Sequence, residues 1–265
     1  MRNVLIVIVA TVLGAGFGYA QDLKTHVEFY PATGNLVRFV YPATWSALST
    51  AGGMGETNGP NGEYVFMGIT GQFMTPEAME AMVTQQKRIL IQSGMPPRQV
   101  DMLIRNLRQS VGPTGSQPFH SPEEVITRLF PLFASLQNKQ VTNTRIDQSE
   151  THAGLHGPMP GALHLVSYTL NGVVHRGLYY VATQWITPGQ TWMFYSSGCS
   201  APMEGFDATL PMMLTIWKSY LEDTVRSDWA EESVREGLNA AERWALEWGK
   251  VLRGYDAVGD VDNRE

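Results

Sequence analysis

The sequence predicts an α+β domain: an antiparallel β-sheet sandwiched between helices (α/β/α), with a helical insertion at about residues 71–140 and a C-terminal amphipathic helix. Three observations carry this. β-type runs punctuated by Pro, Gly and Asn open the chain and return after Val141. The stretch between them switches to helical spacing of its apolar residues. Asn171-Gly172 separates two apolar runs, and an Asn-Gly pair supplies the two positive φ angles of a tight hairpin.

Each element has a local reason. Lys24–Tyr30 and Asn35–Tyr41 are strands flanking the turn cluster Pro31-Ala32-Thr33-Gly34. In the second, Val37, Phe39 and Tyr41 alternate with Leu36, Arg38 and Val40, which places the aromatics on one face. Pro42 stops the ladder. A Gly/Asn-rich loop, 52–62, leads to a strand at Glu63–Thr70. Thr75-Pro76-Glu77 reads as an N-cap, a first-turn proline and an acid near the positive helix end. Met79, Met82, Val83 and Leu90 follow at helical spacing. A second helix starts after Pro96-Pro97, with Val100, Leu103, Ile104, Leu107 and Val111 on one stripe. Ser121-Pro122-Glu123-Glu124 has capping-box spacing, and Pro131 should kink or shorten the third helix. Strands are then expected at Val141–Glu150, Ala162–Leu170, Val173–Ile186 and Thr191–Ser197. An apolar helix closes the series at Met203–Leu221.

The two ends are different in kind. Met1-Arg2-Asn3, the apolar run from Val4 and the small residues Gly18 and Ala20 have the layout of a secretory signal peptide covering residues 1–20, so the protein is expected to be exported, periplasmic or extracellular. With that segment cleaved, no stable membrane insertion is expected. At the other end, residues 222–265 hold 12 acids and 6 bases, while residues 21–221 are almost neutral with 12 bases and 13 acids. Within this acidic tail Val234, Leu238, Ala241, Ala245, Trp248 and Leu252 step as a heptad seam, widened by Trp244, Val251 and Tyr255.

Composition excludes several classes. The formal charge of −6 lacks the basic face that a nucleic-acid binder needs to displace counterions. A single Cys rules out a disulfide framework and a Cys-rich zinc module. There is no Gly-x-Ser-x-Gly elbow and no P-loop, since Gly52-Gly53-Met54-Gly55 lacks the Lys and the helix start. Cys199 has no His near it in sequence to depress its pKa. The body's acids are scattered, so an acid/base enzyme would need a site assembled only by folding.

Pro42-Ala43-Thr44-Trp45 closing the first strand pair resembles the Pro-x-x-Trp turn of the PsbP-like superfamily, which includes a photosystem II extrinsic protein and a Ran-binding import factor. The unit Thr191-Trp192-Met193-Phe194-Tyr195-Ser196-Ser197, followed by Phe206, Leu210, Leu214, Ile216, Trp217 and Tyr220, is similar to that superfamily's last strand and closing helix. The likeness spans about residues 23–221, although residues 71–140 are longer and more helical than it implies. It implies a helix-flanked antiparallel sheet and a protein that binds other proteins or ions, with no catalytic residue to carry over.

Two sets of candidate site residues result. The first is aromatic: Trp229, Trp244, Trp248 and Tyr255 in the tail would anchor a protein partner, because large aromatics dominate interface energetics. The second is imidazole. His152 and His156 are four residues apart in a Gly/Pro-rich loop, and with His164 from the next strand they would take Cu or Zn. The expected function is therefore an exported, non-enzymatic binding protein with no required cofactor, with a His-loop metal binder as the alternative. His26 and His175 are expected to be ordinary strand residues.

Overall fold

A computed structural model describes residues 22–153 and 160–224. A seven-stranded antiparallel sheet has the order β3-β4-β5-β9-β8-β7-β6, and a separate ribbon pairs β1 with β2. The ribbon is β1 (Leu23–Tyr30) and β2 (Asn35–Pro42); short edge strands β3 (Ser46–Ser49) and β4 (Gly55–Asn58) precede the long β5 (Tyr64–Met74). Helices α1 (Pro76–Gln92) and α2 (Pro97–Gly115) follow, then α3 (Pro122–Glu124), a π-helical segment (Val125–Leu129) and α4 (Phe130–Leu136). Strands β6 (Val141–Ala153), β7 (Pro160–Leu170), β8 (Val173–Thr187) and β9 (Thr191–Pro202) lead into α5 (Met203–Thr224).

Helices cover both faces of the sheet. On one face α5 brings Phe206, Leu210, Met213, Ile216 and Trp217 against Val65, Met67, Leu163, Leu178 and Tyr180, joined by Val37 and Phe39 of the ribbon. On the other, Val125, Ile126 and Leu129 pack on Phe66, Phe73, Val166, Tyr179, Val181, Trp192 and Phe194. Burial on both faces explains why Gly177–Ala182 is unbroken in its burial rather than alternating. Tyr179 lies close over its neighbours, and a Cβ added at Gly177 would meet the Tyr179 ring at 2.7 Å.

Local signals are realised in detail. The Thr75 hydroxyl accepts from the Ala78 N–H, and Ser121 with Glu124 forms the reciprocal capping box. Pro131 has no N–H to give its helix; just ahead of it the chain widens into the π segment, where the Phe130 N–H donates to the Val125 carbonyl. Asn171 and Gly172 have φ of 50° and 88°, both left-handed as the hairpin demands. Gly68 has φ of 72° where the β5–β9 register shifts between Phe66 and Ile69.

Two expectations need correction. The 52–62 loop contains β4, whose pairing with β5 comes from tertiary context rather than propensity. Leu103, placed on the buried stripe of α2, is 40% exposed. Met102 of the same helix is also exposed. Both have one cause: α1 and α2 pack on each other through a small cluster of Met79, Val83, Val100 and Ile104, apart from the two cores of the sheet.

Candidate functional site

The aromatic candidates Trp229, Trp244, Trp248 and Tyr255, the loop residue His156 and the leader 1–20 lie outside the described residues. His152 belongs to β6 and stands opposite Gly161, whereas His164 of β7 stands opposite Ser149. Those rungs are three residues apart, about 10 Å along the ladder. His164 is fully buried; its Nδ1 is 2.8 Å from the Ser149 hydroxyl and its Nε2 has no hydrogen-bond partner. Burial pushes its pKa down, so the ring is neutral at pH 7. Among the described residues no three His, Cys, Asp or Glu side chains come together as a metal-sized group.

Cys199 sits in the α5-side core with no exposure, and burial pushes its thiol up to about 12. A thiol so protonated is a weak nucleophile at neutral pH. It behaves as a small apolar side chain.

The polar cluster that sequence reading missed is in the ribbon. In β1 the side chains of His26, Glu28 and Tyr30 share one face, two residues apart, and all three converge on Ser49 at the end of β3. The Ser49 hydroxyl donates to Glu28 Oε2 at 2.7 Å; His26 Nε2 is 2.7 Å and the Tyr30 hydroxyl 2.9 Å from the same oxygen. A serine has one proton to give, and here it goes to Glu28, so His26 and Tyr30 are both donors to Ser49. That assigns the Nε2–H tautomer to neutral His26. It is the reverse of a catalytic pair, in which imidazole accepts the serine proton. The cluster is a joint instead: it fastens the ribbon to the edge of the seven-stranded sheet, and Thr33 and Asn35 reinforce it by donating to the Ala51 carbonyl, each at 2.9 Å.

Electrostatics make this joint sensitive to acid. Burial, partly offset by Glu28, lowers the His26 pKa, while the hydrogen bond from Ser49, above all, holds Glu28 below the usual carboxylate range. Both folded-state pKa values lie below their unfolded values. Their stabilisation is therefore complete at neutral pH and is lost as pH falls, first from about 6.5 for His26 and then below about 4.5 for Glu28. His164 and His175, lowered by burial, act in the same direction. The melting temperature is expected to drop as pH is taken from 7.5 to 5, and His26→Gln should flatten that drop without abolishing it. Identical slopes for the two proteins would show that His26 carries none of it.

Register decides what the ribbon shows to solvent. His26 pairs with Phe39 and stacks on it at 4.8 Å between ring centroids, so this face is the one turned to the core. The opposite face carries Val27, Phe29 and Leu36. Phe29 and Leu36 are cross-strand partners, and they are 59% and 45% exposed. Adjacent exposed apolar side chains of this size on a rigid ribbon are the kind of surface that proteins use to meet other macromolecules. The class these features define is a helix-flanked antiparallel α+β sandwich carrying an outward apolar ribbon. No protein-family model matches the chain, and no curated protein matches it.

Proposed function

We propose that this chain is an exported, non-enzymatic protein that binds another protein through the outer face of the β1–β2 ribbon. The observation that carries the reading is the exposed cross-strand pair Phe29 and Leu36, held on a ribbon whose other face is anchored by Val37 and Phe39 in the core. Export is supported by the leader-like residues 1–20. A binding role is supported by the protonated, buried Cys199 and by the satisfied Ser49 joint, neither of which is set up for nucleophilic chemistry. The likeness to the PsbP-like superfamily points the same way. The ribbon is the partner-binding face proposed among the described residues; the tail aromatics Trp229, Trp244, Trp248 and Tyr255 lie outside them.

The test compares crosslinked pull-downs from the native compartment with mature wild-type protein and with Phe29→Asp. Placing a carboxylate in the centre of an apolar contact should weaken capture by about 30-fold, the equivalent of about 2 kcal/mol for a hot-spot residue. Far-UV circular dichroism should be unchanged, because the replaced ring is outside the core. Equal recovery of the same partner by both proteins would sink the ribbon as the binding face.

A further inference from the structure

Helices α1 and α2 form an arm with a core of its own. Met79 and Val83 of α1 meet Val100 and Ile104 of α2, apart from both cores of the sheet. The arm joins the body at its base, where Met74 bridges Ser116 and its carbonyl accepts the Gln117 N–H at 3.0 Å. The 17 residues of α1 then carry the tip about 25 Å from that base. From Thr84 through Gln99 no residue is buried, and all except Leu90 and Met95 are exposed. Residues 81–100 contain Lys87, Arg88 and Arg98 and not one Asp or Glu, in a chain of formal charge −6. Lys87 reaches Asp101 at 3.2 Å, whereas Arg88 and Arg98, on either side of the turn, enter no ion pair among the described residues. Between them Ile89 and Ile91 are 48% and 55% exposed, and the exposed Pro96 and Pro97 continue the apolar surface around the turn.

We infer that this tip docks end-on and reversibly on the surface of a bilayer rich in anionic phospholipid, with Ile89 and Ile91 at the acyl boundary and Arg88 and Arg98 at the lipid phosphates. Charge selects the sign of the surface: cations with no acid among them are drawn to negative headgroups. Geometry selects a fluid surface over a protein groove. Two residues along a helix turn about 200° around it, so Ile89 and Ile91 stand on opposite sides of α1. A groove takes one stripe of a helix and would leave one of the two in water. A lipid interface entered by the helix end receives both, and one helical turn of about 5.4 Å fits the 5–10 Å depth of interfacial side chains. Among the described residues no helix is long and apolar enough to cross a membrane, so the contact is peripheral. The ribbon contributes none of these residues, and the two readings therefore fail separately.

The test is flotation of the full mature chain with vesicles of phosphatidylcholine alone and of phosphatidylcholine mixed equally with phosphatidylglycerol. Only the anionic vesicles should carry the protein, and high salt should release it. Arg88→Gln with Arg98→Gln should weaken partitioning about 30-fold. Ile89→Ser with Ile91→Ser should weaken it at least about tenfold. All four positions are exposed, so circular dichroism should be unchanged in both double variants. An environment-sensitive fluorophore attached to Ile91→Cys should shift to the blue with anionic vesicles. The same label on Val173→Cys, exposed at the opposite end of the sheet from the base of α1, should not; Cys199 is buried and stays unlabelled. A shift at position 91 that follows protein concentration without vesicles would make the occupant a second copy and overturn the membrane reading. No flotation with the anionic vesicles, or flotation that both double variants leave unchanged, would overturn the tip as the docking site.

Discussion

Trp217→Ala should lower the free energy of unfolding by about 3–5 kcal/mol, the range for deleting a large aromatic from a packed interior. Trp217 is fully buried on α5, and its indole N–H donates to the Ser197 hydroxyl of β9 at 3.0 Å. It belongs to the core cluster that joins Phe206 and Met213 of α5 to Val65, Met67 and Leu178 of the sheet and to Val37 and Phe39 of the ribbon, so its loss opens a cavity where helix, sheet and ribbon all meet. The surrounding side chains belong to different elements and cannot collapse together. Trp217→Phe separates the two contributions: most of the packing survives, and Ser197 is left without its donor, at a cost of about 1–3 kcal/mol. Denaturant unfolding of the three proteins measures both. A loss under about 1 kcal/mol for the alanine variant would mean that α5 is not an integral layer.

Gly198→Ala should be comparably severe, at about 3 kcal/mol or more, through overpacking rather than a cavity. A methyl group here would run into the Leu178 carbonyl oxygen and lie 2.9 Å from the Tyr179 Cα. These are backbone atoms of β8, and no rotamer change moves them. The methyl would have to part β8 and β9 at Tyr179–Gly198, in the middle of the sheet. Gly205→Ala is the contrast: it is in α5 with nothing within 4 Å of the added Cβ, and it should be neutral or stabilising by up to about 1 kcal/mol. Similar midpoints for the two variants in thermal or urea unfolding would refute the close approach at Gly198.

Most strand and helix positions were legible from local chemistry. Asn-Gly demands one hairpin geometry, Thr75-Pro76 and Ser121 with Glu124 cap helices wherever they occur, and the long apolar runs have few alternatives to strands. β4 escaped notice because Gly55–Asn58 has no strand propensity and pairs only because β5 is already there. The Ser49 joint escaped for a related reason: its partners are 19 to 23 residues away in the chain, and Ser49 itself carries no motif.

What the sequence by itself determined is the class of the fold, the order of its long elements, and the acidic, heptad-patterned tail that follows the domain, because each depends on propensity, periodicity and charge along a short stretch. The tertiary structure alone decided which face of the ribbon is buried. Alternation in β1 separates His26, Glu28 and Tyr30 from Val27 and Phe29, and hydropathy favours the second set for the core. Pairing of His26 with Phe39 reverses that assignment, because Phe39 must reach α5 and Ser49 can satisfy the polar set. Alternation defines two faces; only packing against a distant helix determines which of them meets the core and which is left for a partner.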